Sequence, residues 1–475
     1  MTENKTLARR VNLFEAVATI VGMVVGASIF ILVPTITGIT GPSVFIAYAV
    51  AMIPCIFVVL FETQIVGALP VTGANYVALS RAVSPFWAGS LSLLAVVGFV
   101  SGMCLMAVGF GQYTVAFIQS FVPSFTLEPN ILAAGVILLF ALANWAGVEL
   151  TAKVQAAMFL IFVAGMLIFG ITGAANFNPV NMTPMFPGGA AGFIMAIVLA
   201  SYSWSGLTEL ADIGGEVKNP RRNLPLALVI SLLIILILYV LQPFALVASM
   251  NWKDVAKTGS NAIMVDANNL LPGWGNWVIY IAALGAILTT INAGIWAAPR
   301  TVTAWARDGL LPKGLAHINS KTKAPDASLL VITILILLGL ATFAAIEKFA
   351  VISIILTALY QILLSVAVLR IPKKLPTLFN RSRFKLNTFW RWFVFIGTTI
   401  TCVFLMLGSI AVDMMNSRGQ FTNIPWAIVV FFSALPLSFI YWFLRKAYLK
   451  SKGIDLEKNM LSMYDASLAE AEERQ

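Results

Sequence analysis

The chain has 475 residues, 60% of them hydrophobic and only 11% charged, with a mean hydropathy of +0.91. Soluble domains run at about 45–50% apolar and about 25% charged residues, so these values exclude a soluble globular fold and predict an integral membrane protein. The net charge of +10 does not predict a nucleic-acid partner, because nearly all of it falls on one side of the expected topology.

Apolar stretches near the ~20 residues of one membrane crossing recur along the whole chain. In order they predict helices over 13–37, 43–69, 86–122, 130–148 and 154–175, then 190–213, 224–249, 275–306, 327–345 and 349–370, and last 391–413 and 423–444. The third and eighth are long enough to tilt or to extend past the bilayer. The predicted fold class is therefore all-α and polytopic, with twelve transmembrane helices. An N-terminal segment (1–12) precedes five helices over 13–175, five more over 190–370, two extra helices over 391–445 and a cytoplasmic tail over 446–475. Five is odd, so the second set re-enters the membrane upside down as a 5+5 inverted repeat. In the tail, Ile454, Leu456, Met460 and Leu461 recur among charged residues and predict a short helix.

Two helices in corresponding places are weak at their centres. The first reads Gly22-Met-Val-Val-Gly26-Ala27-Ser28-Ile-Phe30, and the sixth reads Ser201-Tyr202-Ser203-Trp204-Ser205-Gly206-Leu-Thr208-Glu209. Irregular backbone at membrane depth is tolerated only where it lines a cavity or is buried in protein. Paired discontinuous helices point to a secondary transporter's substrate site. Taken alone, Gly22 and Gly26 also fit a helix-packing motif.

With the N-terminus placed in the cytoplasm, 26 of the 30 Lys and Arg residues fall on the inner side; Lys253, Lys257, Lys348 and Arg418 are the exceptions. This asymmetry predicts a multi-pass protein of the cytoplasmic membrane with both termini inside. The polar N-terminus and long first apolar run predict no cleavable signal peptide. Cys55, Cys104 and Cys402 lie in hydrophobic spans without metal or disulfide spacing. The single histidine, His317, falls in an inner loop, which excludes a centre built on several histidines.

An unwound first helix frees N–H groups at the start of its outer half and carbonyls at the end of its inner half. The N–H groups of Gly26, Ala27 and Ser28, at the positive end of a helix dipole, suit a carboxylate. Carbonyls near Thr19, Ile20 and Gly22, with those around Ser203, suit an ammonium. An α-amino acid carries both groups at fixed spacing.

Further motifs carry a family likeness. Pro70-Val-Thr-Gly-Ala-Asn-Tyr76, the loop Glu216-Val-Lys-Asn-Pro220-Arg-Arg-Asn223 punctuated by Pro220 and Pro225, and Ala306-Arg-Asp-Gly-Leu-Leu-Pro312 join Gly22–Phe30. Over roughly residues 10–450 the chain resembles the amino acid–polyamine–organocation permeases. That resemblance implies the leucine-transporter-like fold, alternating access and a site between helices 1, 3, 6, 8 and 10. It also implies an aromatic gate at Tyr202, with Trp204, Gly206 and Thr208 beside it, and an ion site at Thr289 and Thr290 in sodium-coupled members, near Asn292 and Trp296. For the two threonines, hydroxyl bonding to the preceding helical turn is the simpler reading.

The chain departs from the family where Gly26-Ala27-Ser28 replaces the usual Gly-Ser-Gly. It departs again where Thr208 stands in place of an acid with Glu209 next to it, where Gln64 ends helix 2, and where Phe162 falls at a helix 5 lysine. Glu209 has three readings: pairing with a basic residue near the inner face, which ranks first, carrying a coupling proton, or binding a cationic substrate. Glu15 and Glu62 carry the same ambiguity.

The expected function is a secondary active transporter of amino acids, driven by a proton or sodium gradient or by exchange, with neutral substrates favoured. The alternative is a polyamine or organic amine carrier; a channel or a membrane enzyme is remote. No catalytic residue is expected, and no cofactor beyond a coupling ion. The expected partners are a small-molecule substrate and the lipid bilayer.

Overall fold

The computed structural model describes residues 11–71, 73–146, 148–204, 206, 207, 211, 214, 217–322, 324–342, 346–416 and 426–461. Broken helix 1 comprises α1 (Leu13–Val24) and α2 (Ala27–Thr40). There follow α3 (Val44–Ala68), the short α4 (Ala74–Ala78), α5 (Pro85–Gln119), α6 (Pro129–Ala146), α7 (Val148–Ala175) and α8 (Gly189–Tyr202). The later chain supplies α9 (Pro220–Ser249), two small helices α10 (Trp252–Thr258) and α11 (Ala262–Leu270), and the long α12 (Gly275–Arg307). It finishes with α13 (Asp326–Thr342), α14 (Ile346–Lys374), the short α15 (Pro376–Arg381), α16 (Thr388–Asn416) and α17 (Trp426–Ser451).

Among the described residues, eight stretches are long and apolar enough to cross a membrane. The first, Leu13–Ala68, contains two crossings, and the shorter apolar helices Pro129–Trp145, Gly189–Tyr202 and Asp326–Ala341 bring the number to twelve. The protein is thus all-helical and polytopic, as its composition predicts.

Local chemistry sets several helix ends. Asn12 and Glu15 form a capping box: Glu15 N–H donates to Asn12 Oδ1 at 2.9 Å and Asn12 N–H donates to Glu15 Oε2 at 2.8 Å. Glu15 is therefore a cap. Pro220 and Pro225, expected to punctuate a loop, lie instead in the first turns of α9, which begins four residues before the predicted 224. Pro220 takes the first helical position, where its missing N–H has no partner to lose, after Asn219 turns the chain at φ 47°. The sixth helix, predicted over 190–213, stops at Tyr202.

The centre of the bundle is α1 packed on α7, α9 and α12, while α5 runs against α12 and α14. Helices α16 and α17 lean on α14 from outside. Val11, just before α1, forms an isolated β-bridge with Val217, and Lys218 N–H donates to Val11 O at 2.8 Å. That bond ties the entry of helix 1 to the segment following the helix 6 break.

Candidate functional site

Four carbonyls end α1, and their partners define what the break offers. Val21 O accepts Val25 N–H at 2.7 Å. Gly22 O accepts the hydroxyls of Thr289 at 3.0 Å and Thr290 at 2.8 Å. Val24 O accepts Gly26 N–H at 3.0 Å and the Tyr239 hydroxyl at 2.7 Å. Met23 O keeps no partner among the described residues and faces Gly206, where an added Cβ would sit 3.2 Å from it. The carbonyl left for an ammonium is thus Met23's, adjacent to the predicted Gly22. Thr19 and Ile20 are buried one turn earlier, with the Thr19 hydroxyl bonded to Glu15 O at 2.7 Å.

On the other side of the break, Gly26 is extended at φ −111°, ψ −153°, and no side chain caps α2. Since Gly26 N–H is bonded within the break, the open donors at this helix start are those of Ala27, Ser28 and Ile29. Gly26 has space for nothing larger: a Cβ there would lie 2.6 Å from Met106 Sδ and 2.7 Å from Thr290 Oγ1.

Helix 6 breaks differently. After Tyr202, Ser203 N–H donates to Ala200 O at 3.0 Å and Trp204 N–H to Ser201 O at 3.2 Å, a tightened last turn. Gly206 then takes φ +102°, a conformation that L side chains rarely adopt. Thr208 and Glu209 lie outside the described residues.

A residue that sequence reasoning missed joins the two breaks. Tyr239 of α9 directs its hydroxyl to Val24 O and to Ser203 O, both at 2.7 Å. Its ring is fixed by edge contacts with Tyr48 at 5.8 Å and Trp204 at 5.0 Å, and the Tyr48 and Ser203 hydroxyls meet at 3.3 Å. The sequence signal was a lone tyrosine with Gln242 three residues on, in an otherwise apolar run.

A second polar network lies behind helix 1. Gln155 of α7 is fully buried; its Nε2 donates to Thr289 O at 3.1 Å, and its Oε1 accepts Asn292 Nδ2 at 3.0 Å. Asn144 continues the chain by donating to Asn292 Oδ1 at 3.2 Å. Thr289 and Thr290 also bond back to Ala286 O at 2.7 and 3.1 Å, the local pattern expected of helical threonines. Phe162 packs against Gly285 and Phe159, so the helix 5 side chain that reaches Thr289 is Gln155.

Between α1, α5, α8, α12 and α14 lies a cavity of about 140 Å³. Of the predicted site residues, Ser28, Tyr202, Gly206 and Thr290 line it. Trp204 lines a smaller, 50 Å³ chamber behind the helix 6 break, and Asn292 turns toward α6 and α7. Trp296 is buried under the Arg300 guanidinium, 5.4 Å above its ring. The apolar wall includes Phe99, Met103 and Met106; among the described lining residues none is charged.

Toward the basic face, the buried side chains of Asn75 and Trp305 line the cavity. Asn75 Nδ2 donates to Glu62 Oε1 at 2.8 Å, so Glu62 stands one layer behind the wall. The Gln64 carbonyl caps Leu386 N–H at 2.8 Å. Beneath Trp305, whose ring meets Tyr76 edge-on at 6.2 Å, Arg81 pairs with Asp308 at 3.4 Å. Burial pushes the Asp308 carboxyl up from its ordinary range, and the Arg81 charge works against that rise.

Residues 11–447 match the family described as amino acid permease. The branched-chain amino acid permease BcaP of Bacillus subtilis (strain 168) is 25% identical over 393 residues, covering 79% of this chain and 83% of that protein. The methylthioribose transporter of the same organism is 25% identical over 395 residues, at 79% and 84% coverage. The vacuolar cationic amino acid transporter 8 of Arabidopsis thaliana is 23% identical over 326 residues, 66% of this chain and 55% of that protein. A match over nearly the whole chain, on a twelve-crossing helical bundle with a central cavity, makes this protein a multi-pass membrane transporter belonging to the amino acid permease family.

Proposed function

We propose that the protein carries a neutral α-amino acid with an apolar side chain across the cytoplasmic membrane by alternating access. The observation that supports this most is the wall of the central cavity. Its described residues are uncharged, with polar side chains such as Ser353, Thr357 and Gln361 on α14, and open main-chain groups of opposite sign stand at the helix 1 break. The substrate carboxylate lies on the N–H groups of Ala27 and Ser28, its ammonium on Met23 O, and its side chain against Phe99, Met103 and Met106. Transport by the BcaP relative named for branched-chain amino acids agrees with that wall. A cationic side chain would instead need an acid at the wall, and Glu62 is held back by Asn75.

Uptake into proteoliposomes, with competition by leucine, isoleucine, valine and methionine against lysine and putrescine, tests this reading. Competition by the four apolar amino acids alone is expected. Inhibition by lysine or putrescine alone would replace it with an organic-amine carrier, and Glu209→Gln would then lower that uptake if Glu209 supplies the charge.

For coupling, the reading is transport without sodium at Thr289 and Thr290. Gln155 Nε2, an N–H donor, stands 3.1 Å from Thr289 O and would lie 2.7 Å from a Cβ on Gly22. A hard cation there would need an oxygen in its place. Equal uptake in sodium and choline buffers is the expected result; a sodium-dependent KM would restore the ion site. The basic asymmetry supports placing both termini in the cytoplasm.

A further inference from the structure

The closed end of the cavity is covered by the protein's own C-terminal segment. After α17 ends at Ser451, the chain turns through Gly453 at φ +75° and residues 456–461 form a short helix. Asp455 caps it by accepting Lys458 N–H at 3.2 Å. Leu456 and Met460 are buried, at 1% and 0% exposure, so the segment is packed down.

Its contacts fall on both sides of the floor. Asn459 Nδ2 donates to Asp308 O at 2.8 Å, on the turn that ends α12. Met460 O accepts from the Arg81 guanidinium, on the segment that follows α4. Lys446 pairs with Glu457 at 2.6 Å and anchors the segment to α17. The same turn of α12 is gripped by α17, where Arg445 Nε donates to Gly309 O at 2.9 Å and the Tyr441 hydroxyl to Leu310 O at 2.7 Å.

The floor thus has three layers. Asn75 and Trp305 touch the cavity, Arg81 and Asp308 pair below them, and Asn459 and Met460 bridge that pair from outside. Opening the cavity to this face requires the α4 segment and the end of α12 to part. A strap bonded to both favours the closed arrangement by its differential contacts with the two states.

We propose that residues 455–460 are a latch on the inner gate, setting how often the cavity opens to the cytoplasm. The latch rests on the transporter assignment and is independent of which substrate is carried.

Everted membrane vesicles expose the inner face for the test. Thr301, on the cavity wall, is changed to cysteine in a chain whose Cys55, Cys104 and Cys402 are alanine, and its reaction with a membrane-impermeant maleimide is timed. Truncation after Ser451 is expected to speed labelling about tenfold, within the usual range of coupling between sites, and Asn459→Ala by a smaller factor. Asn459→Ala should stay near the parent's melting temperature, and the truncated chain, which loses the burial of Leu456 and Met460, should melt lower but still cooperatively. A rate unchanged or slowed in the truncated, folded protein would overturn the latch. Should the truncated chain fail to fold, Asn459→Ala and Glu457→Ala decide, since both leave every helix in place: faster labelling in either supports the latch, and unchanged labelling in both overturns it.

Discussion

The two broken helices solve one problem in opposite ways. Helix 1 stops at Val24, passes through extended Gly26 and resumes at once as α2. Helix 6 stops at Tyr202 and turns through Gly206 at φ +102°. Glycine at the first break is needed for space, because Met106 and Thr290 crowd it; at the second it is needed for backbone conformation. The first break therefore supplies donors at a helix start. It also leaves the Met23 carbonyl open, while the second break supplies the Tyr202 ring beside the cavity. Opposite ends of two helix dipoles meet at one point, which suits a zwitterion.

That difference predicts unequal responses to the same substitution. Gly206→Ala should be the more damaging, because a left-handed residue other than glycine costs ~1–3 kcal/mol, equivalent to about 5- to 150-fold in uptake kcat/KM. No neighbouring substitution should rescue it, since the obstacle includes the main-chain oxygen of Met23. Gly26→Ala keeps an allowed backbone and meets the flexible end of Met106, so Met106→Ala should restore part of its activity. Equal rescue of both variants in a proteoliposome assay would dissolve the distinction between space and conformation.

Tyr239→Phe tests whether the two breaks are coupled. It removes one hydroxyl shared by Val24 O and Ser203 O while leaving the ring contacts with Tyr48 and Trp204. Val24 O keeps Gly26 N–H, but Ser203 O loses this buried donor, at about 1–3 kcal/mol. Melting temperature should fall by several degrees, and kcat/KM should drop more than KM alone explains. A variant with unchanged transport would mean that the breaks act independently.

Legibility in the sequence followed the length scale of each signal. A twenty-residue apolar run is hard to mistake, so every crossing was found in place, but the ends were less legible: α7 starts six residues before prediction at Val148, α9 four before at Pro220, α17 runs seven past it to Ser451, and α8 stops at Tyr202. The glycines and serines of the breaks were visible because they interrupt such runs. What the sequence did not disclose were the partners of those breaks. Tyr239 bonds Val24 across 215 positions and Thr289 bonds Gly22 across 267, and no local pattern says which face of a uniformly apolar helix turns inward. Asn144 was a single polar residue in an apolar run, and Gln155 followed Glu149, Thr151 and Lys153 at the polar start of its helix, so neither stood out. Asn292 and Trp204 were legible as polar or aromatic residues near the right depth, but the rotation of Asn292 about the α12 axis and the turn after Tyr202 that carries Trp204 take them off the cavity wall.

The smallest expected effect concerns only the helix 1 side. The outer half, α2, leans on α10 and α11, and in α11 the buried Asp266 accepts the Ser249 hydroxyl at 2.6 Å. Burial raises the Asp266 pKa from 3.8 to about 6, against the lowering effect of that hydrogen bond. The folded form thus binds the proton more tightly than the unfolded chain. Its stabilising contribution is complete below pH 4 and is lost as pH rises through 6. The shift corresponds to roughly 3 kcal/mol at most, so Asp266→Asn should raise the melting temperature by a few degrees at pH 7.5 and by almost nothing at pH 4. Because α8 has no counterpart to this carboxyl among its described residues, the pH-dependent gain should appear without any change in the Gly206 side of the site. If Asp266→Asn instead alters the pH profile of uptake as strongly as that of stability, the outer ends of the two broken helices move as one body, and the separation drawn between them holds only at the bilayer centre.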